Sequence, residues 1–346
     1  MKKIHVGLIG YGLSGAVFHA PLISSVEGLE LKSVVSTRPE QVRRDYPSVN
    51  VVPEVSVLLS DPGIDLVVVT TPNPTHYDYA KRALEAGKHV IVEKPFVNTI
   101  RQAEELIALA ERKERRLSIF QNRRWDNDFR TVKKCIQEGL LGDIITYEAH
   151  YDMFRPEVGS KWKEHAGEGS GALYDLGPHL IDQALHLFGT PKTILADVAK
   201  QRPGAEVDDF FHLVLGYETL RVILQSCFIV KKPGPHFLVH GTKGSLIKFG
   251  MDPQQADLQR GIRPGHPGWG KDREEWHAEL AMGEGLAITA KIETLPGSYE
   301  TYYQEMHDAL VRGYQVPVPA REAKEVIRII EAAFQSHHEN RVVQLS

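Results

Sequence analysis

The stretch 7–15, Gly-Leu-Ile-Gly-Tyr-Gly-Leu-Ser-Gly, constrains the fold more than any other part of the chain. It sets Gly10-x-Gly12-x-x-Gly15 behind a short apolar run, 4–10, and ahead of a segment with helical character. In a strand-turn-helix setting the first glycine permits the tight turn and the second lets backbone approach a pyrophosphate. The third lets the helix pack closely on the strand, and the helix N-terminal amides face the phosphates. Gly10, Gly12, Leu13 and Gly15 are therefore expected to hold a dinucleotide.

The following segments support that context. Runs 29–36, 65–71, 88–94 and 116–121 are β-branched or apolar, as expected of strands buried on both faces. Helix candidates 74–86 and 99–112 lie between them, so residues 1–121 read as an α/β Rossmann domain with a doubly wound parallel sheet. After Gln121 the texture changes to longer alternating strands at 144–154, 192–202, 208–217, 220–230 and 236–240. Short turns separate several of them, and one helix candidate, 172–188, interrupts them. Residues 122–346 thus read as an α+β domain with a mostly antiparallel sheet. Residues 251–298 read as a long excursion rich in Gly, Pro and charge, followed by helix candidates 299–312 and 320–338. A length of 346 residues fits two cores better than one.

About twenty positions beyond the glycines, where a carboxylate would bond the 2′-hydroxyl of NAD, the chain reads Ser36-Thr37-Arg38. Hydroxyl donors and a planar guanidinium suit a 2′-phosphate, so NADP is the expected cofactor. The alternative is that Arg38, Arg43 and Arg44 form the solvated face of the next helix. At the end of another strand, Thr71, Pro72, Asn73 and His76 are candidates for holding cofactor ribose and phosphates. Helix capping is an equally compatible role for Asn73 and Thr75.

Two further motifs carry chemistry. Glu93-Lys94-Pro95 ends a buried strand at the sheet edge where such folds bind ligands, and Lys94 can stabilise negative charge on a substrate oxygen. In 173–189, Asp175 and His179 stand four apart, so a single helix would put them on one face; alternatively the regular helix starts only at Gly177-Pro178, and either geometry leaves His179 near a helix beginning with Asp175 close by. A neutral imidazole suits proton removal from an alcohol near neutrality, and a nearby carboxylate can orient it. The same pair with Asp182 and His186 would make a metal-ligand set. No cysteine cluster or second histidine-rich segment accompanies it, and no metal is expected.

A formal charge of −4 gives no reason to expect nucleic acid or a membrane surface as partner, and no run approaches the length of a membrane span. The two cysteines, Cys135 and Cys227, suggest neither a disulfide framework nor a zinc cluster, and the expected location is the cytoplasm.

With glycine loop, Glu-Lys-Pro and Asp-x-Gly-x-His in that order, the chain resembles the glucose-fructose oxidoreductase/inositol dehydrogenase (Gfo/Idh/MocA) family over essentially its whole length. The segments 10–15, 67–72, 122–129, 173–189 and 326–333 bring it near the NADP-dependent scyllo-inositol dehydrogenase-like members. The resemblance implies an oxidoreductase that interconverts a secondary alcohol and a ketone on a cyclic polyol or sugar. It implies Lys94, Asp175 and His179 as the catalytic trio, with His179 as acid/base, and Ser36 and Arg38 on the 2′-phosphate. It further implies Trp162 beside the nicotinamide, with Lys163 where the family often has arginine, and a cis Lys94–Pro95 bond. The C-terminal sheet would be open and would mediate a homodimer or homotetramer. Glu93 would lie on the cofactor side. Arg124 would either touch a polyol hydroxyl or form an interdomain ion pair, and Tyr151 and Arg155 are expected on a strand within reach of substrate. The fold also hosts nicotinamide-dependent glycosidases and non-catalytic NADP-binding regulators, which stand as alternatives.

Overall fold

The structure, a computed structural model, describes residues 3–283 and 285–345. It forms two compact units, neither continuous in sequence. The first comprises Met1–Trp125, Gln254–Trp269 and Ser298–Lys324, and the second Asp126–Pro253, Gly270–Gly297 and Glu325–Ser346.

The first unit is built on six parallel strands: β1 (Ile4–Ile9), β2 (Leu29–Val35), β3 (Asn50–Val52), β4 (Leu66–Val69), β5 (His89–Glu93) and β6 (Leu117–Phe120). Their spatial order is β3-β2-β1-β4-β5-β6. The chain therefore reverses its winding between β1 and β4, and the glycine loop leaves β1 at that switch point, where open α/β sheets bind ligands. Leu-Val-Val-Val in β4 and Leu-Ser-Ile-Phe in β6 are buried throughout, because helices cover both faces. The helix Tyr299–Arg312 adds an aromatic wall to this unit. Tyr299, Tyr302, Tyr303 and Met306 are fully buried, and Tyr302 meets Phe120 edge-on at 4.9 Å between ring centroids. The Tyr302 hydroxyl donates to Ser118 Oγ (2.9 Å), whose own hydroxyl donates to the Val318 carbonyl. A tyrosine so packed and bonded explains why a segment far along the chain belongs to this core.

The second unit holds nine strands: β7 (Ile144–His150), β8 (Thr193–Ala199), β9 (Phe210–Gly216), β10 (Arg221–Cys227), β11 (Phe237–Gly241), β12 (Gly244–Lys248), β13 (Ala278–Met282), β14 (Ile288–Ile292) and β15 (Val343–Gln344). They lie in the order β14-β13-β12-β11-β7-β10-β9-β8-β15. All neighbours are antiparallel except β7 and β10, which run parallel. Alternation is clearest in β8, where Ile194, Ala196 and Val198 are buried while Leu195 and Asp197 are exposed. The excursion 251–298 is thus partly regular: it contains a helix, Gln254–Gln259, and the hairpin β13–β14.

Candidate active site

In the first unit each glycine of the loop has its own physical reason. Gly10 takes φ +100°, a conformation L side chains rarely adopt. A Cβ on Gly15 would stand 2.4 Å from the Gly10 carbonyl oxygen, so the helix can lie against the loop only without a side chain there. A Cβ on Gly12 would meet nothing within 4 Å. Gly12 and Leu13 are exposed, leaving open space at the position where the motif lets a phosphate approach backbone. Thr70 braces the loop from β4, its hydroxyl lying 2.9 Å from the Gly10 carbonyl and 3.1 Å from that of Ile9.

At the end of β2, Ser36 Oγ accepts from the Arg38 amide (2.9 Å) and shapes the turn into the helix Pro39–Asp45. Arg43 pairs with Glu40 and Arg44 with Asp45, whereas among the described residues no carboxylate pairs with Arg38, which is exposed beside exposed Thr37. After β4, Thr71 shares a hydrogen bond with Thr75 (2.6 Å), and Asn73, buried, donates to Asn98 (3.1 Å). His76 is buried with its ring nitrogens 2.8 Å from the carbonyls of Pro95 and Thr71. Burial holds its pKa below the ordinary histidine range, although those carbonyls pull the other way. Its placement makes it a brace between two strand ends rather than a group reaching for a ligand.

The Lys94–Pro95 peptide is cis, as expected. Burial works against charge on the neighbouring Glu93, yet hydrogen bonds from His19 and Ser14 and the electrostatic pull of His19 and Lys94 hold its carboxyl at about 2. Arg124, expected to touch substrate or bridge domains, has its guanidinium 2.7 Å from Glu322 within the first unit. The pair therefore lies within one unit and is not the interdomain ion pair of the alternative expectation.

In the second unit the helix expected at 172–188 is broken. Ala172–Asp175 forms one turn, Leu176 interrupts, and Gly177–Phe188 starts afresh with Pro178 in its first turn, where a missing N–H costs nothing. Asp175 therefore ends one element and His179 lies in the first turn of the next, buried. Lys163, from the 3₁₀ turn Trp162–Glu164, forms an ion pair with Asp175, and Trp162 is exposed. Tyr151 stacks on the His179 ring at 6.4 Å between centroids with planes 22° apart. Strand β7 ends at His150, so Tyr151 follows the strand, and Arg155 lies beyond it in a loop, exposed. The expected placement of both on that strand is corrected accordingly. Main-chain bonding nevertheless continues past His150, from the Tyr151 and Met153 amides to the carbonyls of Gln225 (2.8 Å) and Cys227 (3.0 Å), while the Asp152 carboxylate accepts from the Cys227 amide (2.9 Å).

Two residues that sequence reasoning passed over, Arg202 and Asp208, hold these elements in place. Arg202, buried, lies 2.9 Å from Asp209 and 3.1 Å from Glu164, and donates to the carbonyls of Arg155 and Glu157, so it anchors both ends of loop 155–164. Breaking such a buried pair costs about 3–5 kcal/mol. Asp208 accepts from the Leu173 amide (2.7 Å) and fills the space where a Cβ on Gly171, at φ +97°, would lie. Burial pushes the Asp208 carboxyl up to about 6, against the pull of that amide.

Comparison with known proteins identifies the family. Residues 4–121 match the profile described as oxidoreductase family, NAD-binding Rossmann fold, and residues 133–345 the one described as oxidoreductase family, C-terminal alpha/beta domain. The chain belongs to the Gfo/Idh/MocA oxidoreductase family. Among its relatives, scyllo-inositol 2-dehydrogenase (NADP(+)) IolW of Bacillus subtilis is 45% identical, covering 100% of this chain and 97% of that protein. The oxidoreductase YdgJ of Escherichia coli is 46% identical over 96% of each. The solved structure of the oxidoreductase YvaA from Bacillus subtilis superposes with a TM-score of 0.98 at 44% identity, covering 100% of this chain and 99% of that one. As a Gfo/Idh/MocA member the chain is an oxidoreductase with a nucleotide-binding Rossmann domain, and among the described residues no helix is long and apolar enough to cross a membrane.

Proposed function

We propose that this oxidoreductase uses NADP(H) to interconvert a secondary alcohol and a ketone on a cyclic polyol or sugar of the scyllo-inositol/inosose type. The observation that carries this reading is the full-length likeness to a protein named scyllo-inositol 2-dehydrogenase (NADP(+)), in a chain whose sequence carries Lys94, Asp175 and His179 and whose glycine loop is open at Gly12. A dinucleotide fits the residues present. Gly10, Gly12, Leu13 and Gly15 would receive its pyrophosphate, Ser36, Thr37 and Arg38 its 2′-phosphate, Thr71, Pro72 and Asn73 its riboses, and Trp162 its nicotinamide end. Support for the phosphorylated form is the exposed Arg38 guanidinium, which no described carboxylate neutralises.

When bound, the nicotinamide ring accepts or supplies the hydride. His179 takes the hydroxyl proton during oxidation and returns it during reduction. Asp175, which pairs with the Lys163 ammonium, orients the imidazole and stabilises the imidazolium as it forms. Lys94 stabilises negative charge on the reacting oxygen. Tyr151, stacked on His179, limits the tilt of the ring. We read the enzyme as cytoplasmic, which the two buried free cysteines support. The partly apolar face of the nine-stranded sheet that carries Leu195 (45% exposed) would mediate homodimer or homotetramer contacts, which sedimentation would reveal.

A panel of inososes, keto-sugars and polyols assayed by cofactor absorbance with both nicotinamide forms tests the proposal. Turnover of a cyclic keto-polyol with NADPH is expected; inertness toward the whole panel overturns it.

A further inference from the structure

Glu93 closes strand β5 immediately before Lys94, and three donors converge on its carboxylate. Ser14 and His19, the first and last residues of the π-helical turn that follows the glycine loop, both reach Oε1; the His19 Nε2 contact is 3.0 Å. The Lys94 amide donates to Oε2 (2.8 Å). A carboxylate only accepts, so Nε2 carries the hydrogen, and Nδ1 faces the hydroxyl of Tyr303 on the helix Tyr299–Arg312. His19 and Tyr303 are fully buried, and the His19 ring also lies 4.3 Å from that of Phe120. One oxygen thus grips both ends of the turn that begins two residues beyond Gly12, and the other grips the backbone of the lysine. The π turn is itself informative, since such turns cluster at functional positions in helices.

We propose that Glu93, with Ser14 and His19, is a positioning residue that ties Lys94 to the dinucleotide loop, so that a cofactor seated on the loop sets the lysine for reaction. This rests on the role given to Lys94 above. The chemistry explains the choice of residue: three N–H or O–H donors need an acceptor with two charged oxygens, whereas an amide offers one oxygen and a competing NH₂. Retention of the charge despite burial agrees with a site organised around an anion. Tyr303 fixes the far end, so the turn and the strand end move as one body when a phosphate draws on the loop amides.

The test is a double-mutant cycle of Ser14→Ala and Glu93→Gln, read as NADPH Kd by fluorescence titration and as kcat and KM for a keto-polyol. Glu93→Gln should lower kcat about 10–100-fold and weaken NADPH about 10-fold, matching loss of charged hydrogen bonds, while Ser14→Ala gives smaller changes of the same kind. The double variant should be no worse than Glu93→Gln alone, because both break one linkage. A serine that merely touched cofactor would raise only the NADPH terms and multiply independently with Glu93→Gln, which overturns the inference. So do wild-type Kd and kcat in both single variants. If Glu93→Gln does not fold, Glu93→Asp, which keeps the charge on a shorter arm, takes its place in the cycle and should fall between wild type and Ser14→Ala/Glu93→Asp only if the linkage is absent. Wild-type protein that binds NADPH but reduces no keto-polyol overturns the reading of function instead, and the cycle on NADPH Kd then still decides whether loop and strand end are coupled.

Discussion

Two substitutions in the glycine loop, one strained and one free, separate packing from ligand binding. In Gly15→Ala the new Cβ would lie 2.4 Å from the Gly10 carbonyl oxygen and 3.0 Å from Thr70 Oγ1. Ordinary contact begins near 3.4 Å, so loop or helix must retreat by about 1 Å, and the obstacle is backbone rather than a flexible side chain. Overpacking of this kind costs about 1–3 kcal/mol, which lowers the unfolding temperature by several degrees. In Gly12→Ala the Cβ meets nothing within 4 Å and the backbone φ is not in the left-handed range, so stability should stay within about 0.5 kcal/mol of wild type. On the proposed reading the methyl would instead enter the space a pyrophosphate needs. Dinucleotide Kd should rise about 10–100-fold, equivalent to about 1.4–2.8 kcal/mol. Thermal unfolding and fluorescence titration with NADPH, run on both variants, give the comparison. A Gly12→Ala protein that binds NADPH as wild type does would refute the assignment of this loop as the phosphate cradle.

Other outcomes follow from the same contacts. Arg38→Ala should raise the NADPH KM about 10–100-fold, as expected for loss of a charged hydrogen bond, and leave the NADH KM nearly unchanged; parallel changes in both would show that Arg38 does not read the 2′-phosphate. Asp208, whose carboxyl burial raises to about 6 from 3.8, holds its proton longer folded than unfolded. Stability should therefore fall as pH rises from about 4 to 6, by up to about 3 kcal/mol, and Asp208→Asn should flatten that slope in urea titrations. Glu93 acts with the opposite sign: its carboxyl, lowered from 4.5 to about 2, contributes stability that is fully present above pH 4.5 and is lost as pH falls toward 2. Glu93→Gln should remove that acid-side dependence, and an unchanged acid limb would show that the charge is not stabilised by the fold.

Much of this molecule was legible in its sequence because local rules and the fold agree. The glycine spacing, the doubly buried runs at 65–71 and 88–94 and the proline-started helix before His179 all reappear where sequence patterns place them. Strand β3 escaped notice because three residues between Pro47 and Pro53 are too few to show a period. Strand β14 escaped because its five residues, though Ile288, Ala290 and Ile292 alternate with Thr289 and Lys291, are too few to stand out within a stretch rich in Gly, Pro and charge. The tyrosines of 299–303 announce a buried helix face but not which core receives it, since periodicity marks a face and never its partner. At the site, residue types signalled Lys94, Asp175 and His179. The Lys163–Asp175 pair, the Arg202 anchor and the Glu93 linkage depend on contacts between residues 7 to 79 positions apart, which one sequence does not display.

Transfer of label decides the central claim most directly. NADPH carrying deuterium at the nicotinamide C4 position, incubated with the enzyme and a cyclic keto-polyol, should place deuterium on the new carbinol carbon, and His179→Ala should suppress that transfer at wild-type NADPH affinity. A new carbinol carbon free of deuterium whichever C4 face of the cofactor carries the label, or a sugar product released with no net cofactor oxidation, would contradict it.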